Sequence, residues 1–322
     1  MKQFLFFLSC IGLSALYSCQ SRVCSAIPEA MDLVADSIKI EHEVYAPNKM
    51  FVLGDKVVVY ERGAKKYFSV FELPSFTFLY SCGEKGHGAN ELLSIDNSFC
   101  ASDNGFKLFE IGTNKVKEVV LHEQNATVED VCKIKASTIG INRFTFLKNN
   151  AFVYLSDNDD YEYCLLSADG KESYFGEYPE GMLAENDSRT PRYIAYNKHT
   201  AGKPDGSKFA AFYAYIRMCR IYDDKGNLLH ETLLAYPQNT IDGKNVIEYP
   251  EPPYVTDEYL YMLHRTNGAD ELEVWNWDGE LLSLYQLDRK LKTITVSDNT
   301  LYGLNMERPN IVYKYDIGTK IK

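Results

Sequence analysis

Three short turns in this chain are built alike. Ala168-Asp169-Gly170-Lys171, Asp224-Lys225-Gly226-Asn227 and Trp277-Asp278-Gly279-Glu280 each set a glycine among polar residues and lead into a run of apolar residues. A glycine so placed takes the positive φ that tight hairpins require, so each turn predicts two antiparallel strands. A hairpin that recurs at separate places in one chain marks a repeated sheet module. Repetition constrains the fold more than any single element does, because each module must bury its faces against its neighbours.

The rest of the chain fits the same unit. Short apolar and aromatic runs alternate with polar turns, and helical periodicity is scarce. Aromatic residues make up 13% of the chain, with 24 Tyr and 17 Phe, and such side chains suit pleated, half-buried surfaces. Modules fall near residues 50–82, 98–121, 143–178, 207–236, 254–287 and 293–322. The glycine turns occupy the link between the third and fourth strands. Six four-stranded modules predict an all-β fold, a six-bladed β-propeller over residues 36–322. The sixth module ends soon after its third strand. The segment 36–44 then either supplies the missing strand and closes the ring, which removes an open edge, or serves as a linker.

The N-terminus reads as an address. Lys2 precedes an apolar stretch from Phe4 to Leu16, of signal-peptide length and short for a membrane span. It ends in Leu16-Tyr17-Ser18-Cys19, which resembles the bacterial lipobox. There the cysteine is acylated and becomes the mature N-terminus. The expected organisation is a lipoprotein signal peptide over 1–18, lipid on Cys19, and a linker over 19–35; a cleaved signal and a soluble product is the alternative. Gln20-Ser21-Arg22-Val23 carries no acidic cluster of the kind linked to surface export, so the expected location is the cell envelope, with the anchored protein facing the periplasm.

The net charge is −11, and no basic stripe is present to meet nucleic-acid phosphates. Beyond Cys10 and Cys19, Cys24, Cys82, Cys100, Cys132, Cys164 and Cys219 are scattered, without metal-ligand spacing. Export would permit disulfides, but spacing does not pair them.

The stretch from Gly83, GEKGHGANELLSI, resembles the G-x-x-G-x-G-P-x-E-[FL] signature of TolB-like six-bladed propeller lipoproteins of gut-type Gram-negative anaerobes. Gly83, Gly86, Gly88, Glu91 and Leu92 match, and Ala89 stands where the family carries Pro. Later stretches resemble the family's fourth and fifth blades. The resemblance implies a lipoprotein and a six-bladed propeller; it implies little chemistry, because propellers host many functions. In physical terms the loop joins an outer strand to the next inner strand. Its glycines serve positive φ or close approach, and Glu91 is placed to accept backbone N–H groups.

Catalytic motifs are missing. His42-Glu43, His122-Glu123 and His230-Glu231 are followed by Ala46, Ala126 and Leu234 where a zinc protease needs its second histidine. No Gly-x-Ser-x-Gly or Ser-x-x-Lys occurs. Asp157-Asn158-Asp159-Asp160 gathers oxygens but lacks the glycine and distal glutamate of a calcium loop. No catalytic residue, metal or cofactor is therefore expected. The longest irregular stretches are 122–142, 179–206 and 237–253, and in the repeat all three would meet at one mouth of the central channel. Arg189, Arg192, Tyr193, Tyr196, Lys198 and His199 make the second stretch a candidate recognition rim, or else they pack the loop down. The expectation is a binding module for an envelope protein, a peptide or a glycan. The alternative is an envelope hydrolase or lyase acting on glycan or peptide at the propeller mouth.

Overall fold

Six small sheets stand around one axis in the computed structural model, which describes residues 23–24, 26–88, 90–135, 143–156, 160–179, 191–236 and 246–318. Blade 1 takes strands 47–53, 56–61, 66–72 and 77–85, with 91–92 added in parallel at its edge. Blade 2 is built from 95–102, 105–110, 115–121 and 126–133, and blade 3 from 145–146, 152–155, 163–166 and 172–175. Blade 4 has 198–202, 208–213, 217–223 and 228–235; blade 5 has 254–255, 259–264, 271–276 and 281–287. Blade 6 contributes 293–297, 300–304 and 311–316, and its fourth strand is 36–39. The first strand of each blade is innermost. Each inner strand touches the next, and 293–297 returns to 47–53, so the ring is closed.

The three glycine hairpins fold identically. Gly170, Gly226 and Gly279 have φ of +83°, +85° and +75°. Each donates its N–H to the carbonyl three residues back, on Ser167, Asp223 and Asn276. The side chain of that same residue tightens each turn: Asp223 Oδ1 accepts from the N–H of Lys225 and Asn227, Asn276 Oδ1 from those of Asp278 and Glu280, and the Ser167 hydroxyl donates to the Lys171 carbonyl. All three turns join third to fourth strands.

Closure uses the start of the chain. Asp36–Lys39 pairs antiparallel with 311–316, setting Ile38 opposite Val312. Residues 31–33, within the expected linker 19–35, pair in parallel with the outer strand of blade 5. Val23–Cys24 pairs in parallel with the outer strand of blade 4. The leading segment is thus a strap over three consecutive outer edges, and it covers backbone groups that would otherwise face water as open edges.

Two expected boundaries move. Residues 126–133, read as irregular, form the outer strand of blade 2. Five consecutive exposed side chains hide it from a pattern search, because an edge strand has little to bury. Blade 4 begins at Lys198 rather than near Ser207. Its inner strand, Lys-His-Thr-Ala-Gly, shows no apolar alternation because it borders the polar channel. Among the described residues Cys82, Cys100, Cys132 and Cys219 are free thiols.

Cores lie between blades. Ile38 packs with Val312, Tyr302 and Leu304 of blade 6 and with Val57 and Val59 of blade 1. A charge at that position has no partner, so Ile38→Asp should lower unfolding free energy by roughly 1–3 kcal/mol. Ser37→Asp, one residue away and exposed, should stay near wild type. Urea midpoints decide it; equal midpoints for the two variants would mean that closure contributes little stability.

Candidate functional site

The axis of the ring is not filled. A cavity of about 300 Å³ lies along the second halves of the inner strands of blades 1 to 5. Phe51, Phe99, Phe146 and Tyr254 supply its aromatic wall, and Lys203 and Asp257 stand where the first hairpins of blades 4 and 5 turn. It therefore occupies the hairpin end of the channel. The long loops expected to form a recognition rim enter the inner strands at the opposite end.

Lys49, Thr145 and Thr200 line the inner limit of the cavity. Thr145 Oγ1 donates to Thr200 Oγ1 at 3.2 Å, and Thr200 Oγ1 to the carbonyl of Arg143 at 3.2 Å. On the neighbouring blade 2, Asp96 Oδ2 accepts the N–H of Arg143 at 3.2 Å, while Asp96 Oδ1 accepts from the backbone and hydroxyl of Ser98. Burial raises the Asp96 carboxyl, and Ser98, Arg143 and Lys49 oppose that rise. Burial lowers the Lys49 ammonium to about 8, with Asp96 pulling back upward. His199 is driven down to about 3, chiefly by burial and then by the charges of Arg143, Lys292 and Lys49. Its imidazole is therefore neutral. These groups form one charged layer between cavity and loop mouth.

The layer is incompletely paired. Lys292 has its carboxylate, Glu251, at 2.6 Å. The Lys49 backbone pairs with Tyr60 in the sheet and its ammonium lies against the Phe99 ring, with no side-chain ion pair among the described residues, and the buried Nε of Arg143 and Nδ1 of His199 have no partner. Buried polar groups are rarely left so, and such exceptions ask for an explanation.

The residues singled out for a recognition rim separate. Arg189 lies outside the described residues. Arg192 and Tyr193 are exposed on the short helix 192–195, with the Arg192 guanidinium 4.9 Å from the Tyr178 ring centre. Tyr196 is buried against Tyr178. Lys198 and His199 are not on the rim at all: both sit in the inner strand of blade 4 and are buried.

Lys198 is held by Glu162 of blade 3 and lies about 5 Å from the centres of three tyrosine rings, Tyr163, Tyr178 and Tyr213. Glu162 also accepts from Tyr213 at 2.7 Å, Arg220 at 2.9 Å and Tyr222 at 3.2 Å, and Arg220 reaches on to Glu231 at 2.6 Å. This network clamps blade 3 to blade 4 and leaves Lys198 no freedom to meet a ligand. Removing the charge it is built around leaves Lys198 buried without a carboxylate and Arg220 with Glu231 alone. Glu162→Gln should lower stability by roughly 3 kcal/mol, read as a shifted denaturant midpoint; a loss under about 0.5 kcal/mol would contradict the clamp.

A second clamp joins blade 5 to the loop that precedes it. His264 bonds Glu248 through Nε2 and Glu271 through Nδ1, each at 2.8 Å. Burial opposes its charge, but the two carboxylates outweigh burial and push it up to about 9, from an ordinary 6.5. The folded value is the higher one. The stabilisation is therefore complete below pH 6.5 and disappears as pH rises through 9. The stability difference between wild type and His264→Gln should shrink by roughly 3 kcal/mol across that window, measured by denaturation at fixed pH values. A constant difference would show that the imidazole is not charged.

The signature loop is a backbone device. Of its glycines only Gly83 has a positive φ, +70°. A side chain on Gly86 or Gly88 would instead collide with Glu91, whose Oε2 accepts the N–H of Gly88 at 2.8 Å. Among the described residues no three His, Cys, Asp or Glu side chains gather as a metal site requires, and Asp157, Asn158 and Asp159 lie outside them. Lys49, Arg143, Thr145 and Thr200 escaped notice in the sequence, although a signal was present. An asparagine followed by a cation recurs in Asn48-Lys49, Asn142-Arg143 and Asn197-Lys198, and Lys49, Arg143 and Lys198 stand in or just before three inner strands.

Closed ring, six four-stranded blades and an axial cavity define a six-bladed β-propeller. Residues 29–242 match the TolB-like 6-blade propeller-like family; the chain belongs to that family. No curated protein matches it. Among solved structures it is similar to a protein from Bacteroides fragilis NCTC 9343 assigned as exported, at 11% identity and TM-score 0.54, over 88% of this chain and 94% of that one. It is also similar to a DUF4221 family member from Bacteroides vulgatus ATCC 8482, at 11% identity and TM-score 0.56, over 88% and 97%. At this identity the likeness is one of fold.

Proposed function

We propose that this protein is exported, tethered to a membrane by lipid on Cys19, and works in the envelope as a binding module that takes one small group of its ligand into the axial cavity. The observation that carries this reading is the cavity itself. Its volume, about 300 Å³, is at the lower end of the range for small-molecule sites, and its wall is aromatic with a polar end. A space of that size accepts a sugar ring, a chain terminus or a small molecule. An envelope glycan, peptide or protein would be gripped by one protruding group. Export is supported by the signal-like N-terminus and by the exported assignment of the B. fragilis neighbour.

The strap gives the tether a direction. Val23–Cys24 lies on the outer edge of blade 4, and four extended residues from Cys19 reach only about 14 Å. Lipid there would hold the disc by its rim and leave both ends of the channel open to the periplasm. Two variants test the reading. Cys19→Ser should move the protein from membrane pellet to soluble fraction. Ala101→Trp, at an exposed position of the cavity wall, should remove small-molecule adducts seen by native mass spectrometry of protein purified from envelopes. Pelleting of the first, or undiminished adducts in the second, overturns the corresponding half.

A further inference from the structure

We propose that the cavity receives an organic carboxylate, its anionic group at Lys49 and Arg143 and its apolar body along Phe99 and Phe146; this rests on the cavity being the binding site. The charge balance of the channel layer is the starting point. Two carboxylates stand there, and both are engaged. Asp96 holds Ser98 and the backbone of Arg143, and Glu251 holds Lys292. Lys49 and Arg143 are left with no counter-ion in ion-pair range among the described residues, in a chain whose net charge is −11. Their accumulation is therefore local and not a reflection of a basic protein.

Elsewhere this molecule pairs the cations it buries. Lys198, Arg217 and Arg220 each meet a glutamate within hydrogen-bonding distance. Leaving a guanidinium nitrogen of Arg143 buried and unbonded is destabilising, and the backbone on both sides of that residue is fixed by Asp96 and Thr200, so the group cannot relax by moving its strand. An anion entering from the cavity meets Lys49 in the wall, while the neighbouring hydroxyls of Thr145 and Thr200 are already donated to Thr200 and to the Arg143 carbonyl. Charge-assisted bonds of this kind discriminate strongly against a neutral analogue, whose binding leaves the cations unpaired. The Lys49 ammonium lies 6.0 Å from the centre of the Phe99 ring, so charged head and aromatic wall adjoin. That juxtaposition suits an anion with an apolar body better than a bare ion.

Isothermal titration with phenylacetate, phenylacetamide and inorganic phosphate decides the matter, using wild type, Lys49→Met, Arg143→Met and Ala101→Trp. Phenylacetate should bind wild type, about tenfold or more tighter than the amide or phosphate, and each Met variant should lose about tenfold or more. Without ligand, both Met variants should melt at or above the wild-type temperature, since each removes an uncompensated charge. Loss of binding together with marked destabilisation would mean a structural role and overturns the inference. Equal binding of acid and amide, both abolished by Ala101→Trp, overturns the anion while the cavity stands as the site. Phosphate binding as tightly as phenylacetate removes any part for the aromatic wall. No binding of phenylacetate overturns the proposal outright.

Discussion

A ring of six sheets holds only if its last blade is completed, and here the completing strand comes from the other end of the chain. Strand 36–39 pairs with 311–316, so the loop being closed spans nearly the whole protein. Loop closure grows slowly more expensive with length, and a contact between the two ends is among the last to be favoured during folding. The core between the last blade and the first is built directly on it. The cluster around Val312 includes residues of blades 1 and 6 together with the closing segment; an open ring would expose it on both sides. The strap over blades 4 and 5 extends the same principle outward, turning loose N-terminal chain into edge protection.

Within the ring, buried charge is handled in two ways. Between blades it is cancelled. Glu162 gathers Lys198 and Arg220, and Glu273 gathers Arg217 at 2.7 Å together with Tyr249 and Trp275. Such pairs contribute little net stability over apolar packing, but they penalise any displacement of one blade against the next. Carboxylates at blade ends also fasten the crossing loops: Glu110 accepts the N–H of Leu93 and Asp270 that of Leu291, each at 2.9 Å. On the axis the pattern changes. Cations outnumber the carboxylates free to meet them, and the space beside them is open. A fold that neutralises charge at its seams and leaves it bare at its centre concentrates electrostatic potential where field lines are least screened by solvent.

Much of the architecture is legible in the sequence. Three glycine turns fixed the phase of the modules, because their geometry depends on few residues and little context. The closing strand was readable because the sixth module ran short. The outer strand of blade 2 and the inner strand of blade 4 were not, for opposite reasons. One is an edge whose side chains face water; the other borders the channel. The first has little buried face, and the second is buried on both sides among polar groups, so neither produces a two-residue apolar alternation. The site suffered from the same blindness. Polar residues in an unpatterned stretch look like loop, so Lys198 and His199 read as rim and Lys49 and Arg143 went unremarked.

Lys198 and His199 show why neighbouring letters resist assignment. In a strand, consecutive side chains point to opposite faces. Lys198 turns toward blade 3 and meets Glu162, and Thr200 follows it to Thr145 on that same side. His199 turns the other way, toward Tyr249 and the loop before blade 5. One residue is closed into a seam and the next left with an open nitrogen, within a single turn of the pleat. Sequence gives their chemistry but not the phase that sends each to its side. That phase is set by the hairpins, by the register of 198–202 against 208–213, and ultimately by where the ring closes. Function in this fold is therefore a property of register: shift the inner strand by one residue, and the cation now locked between blades would stand on the opposite side of its strand.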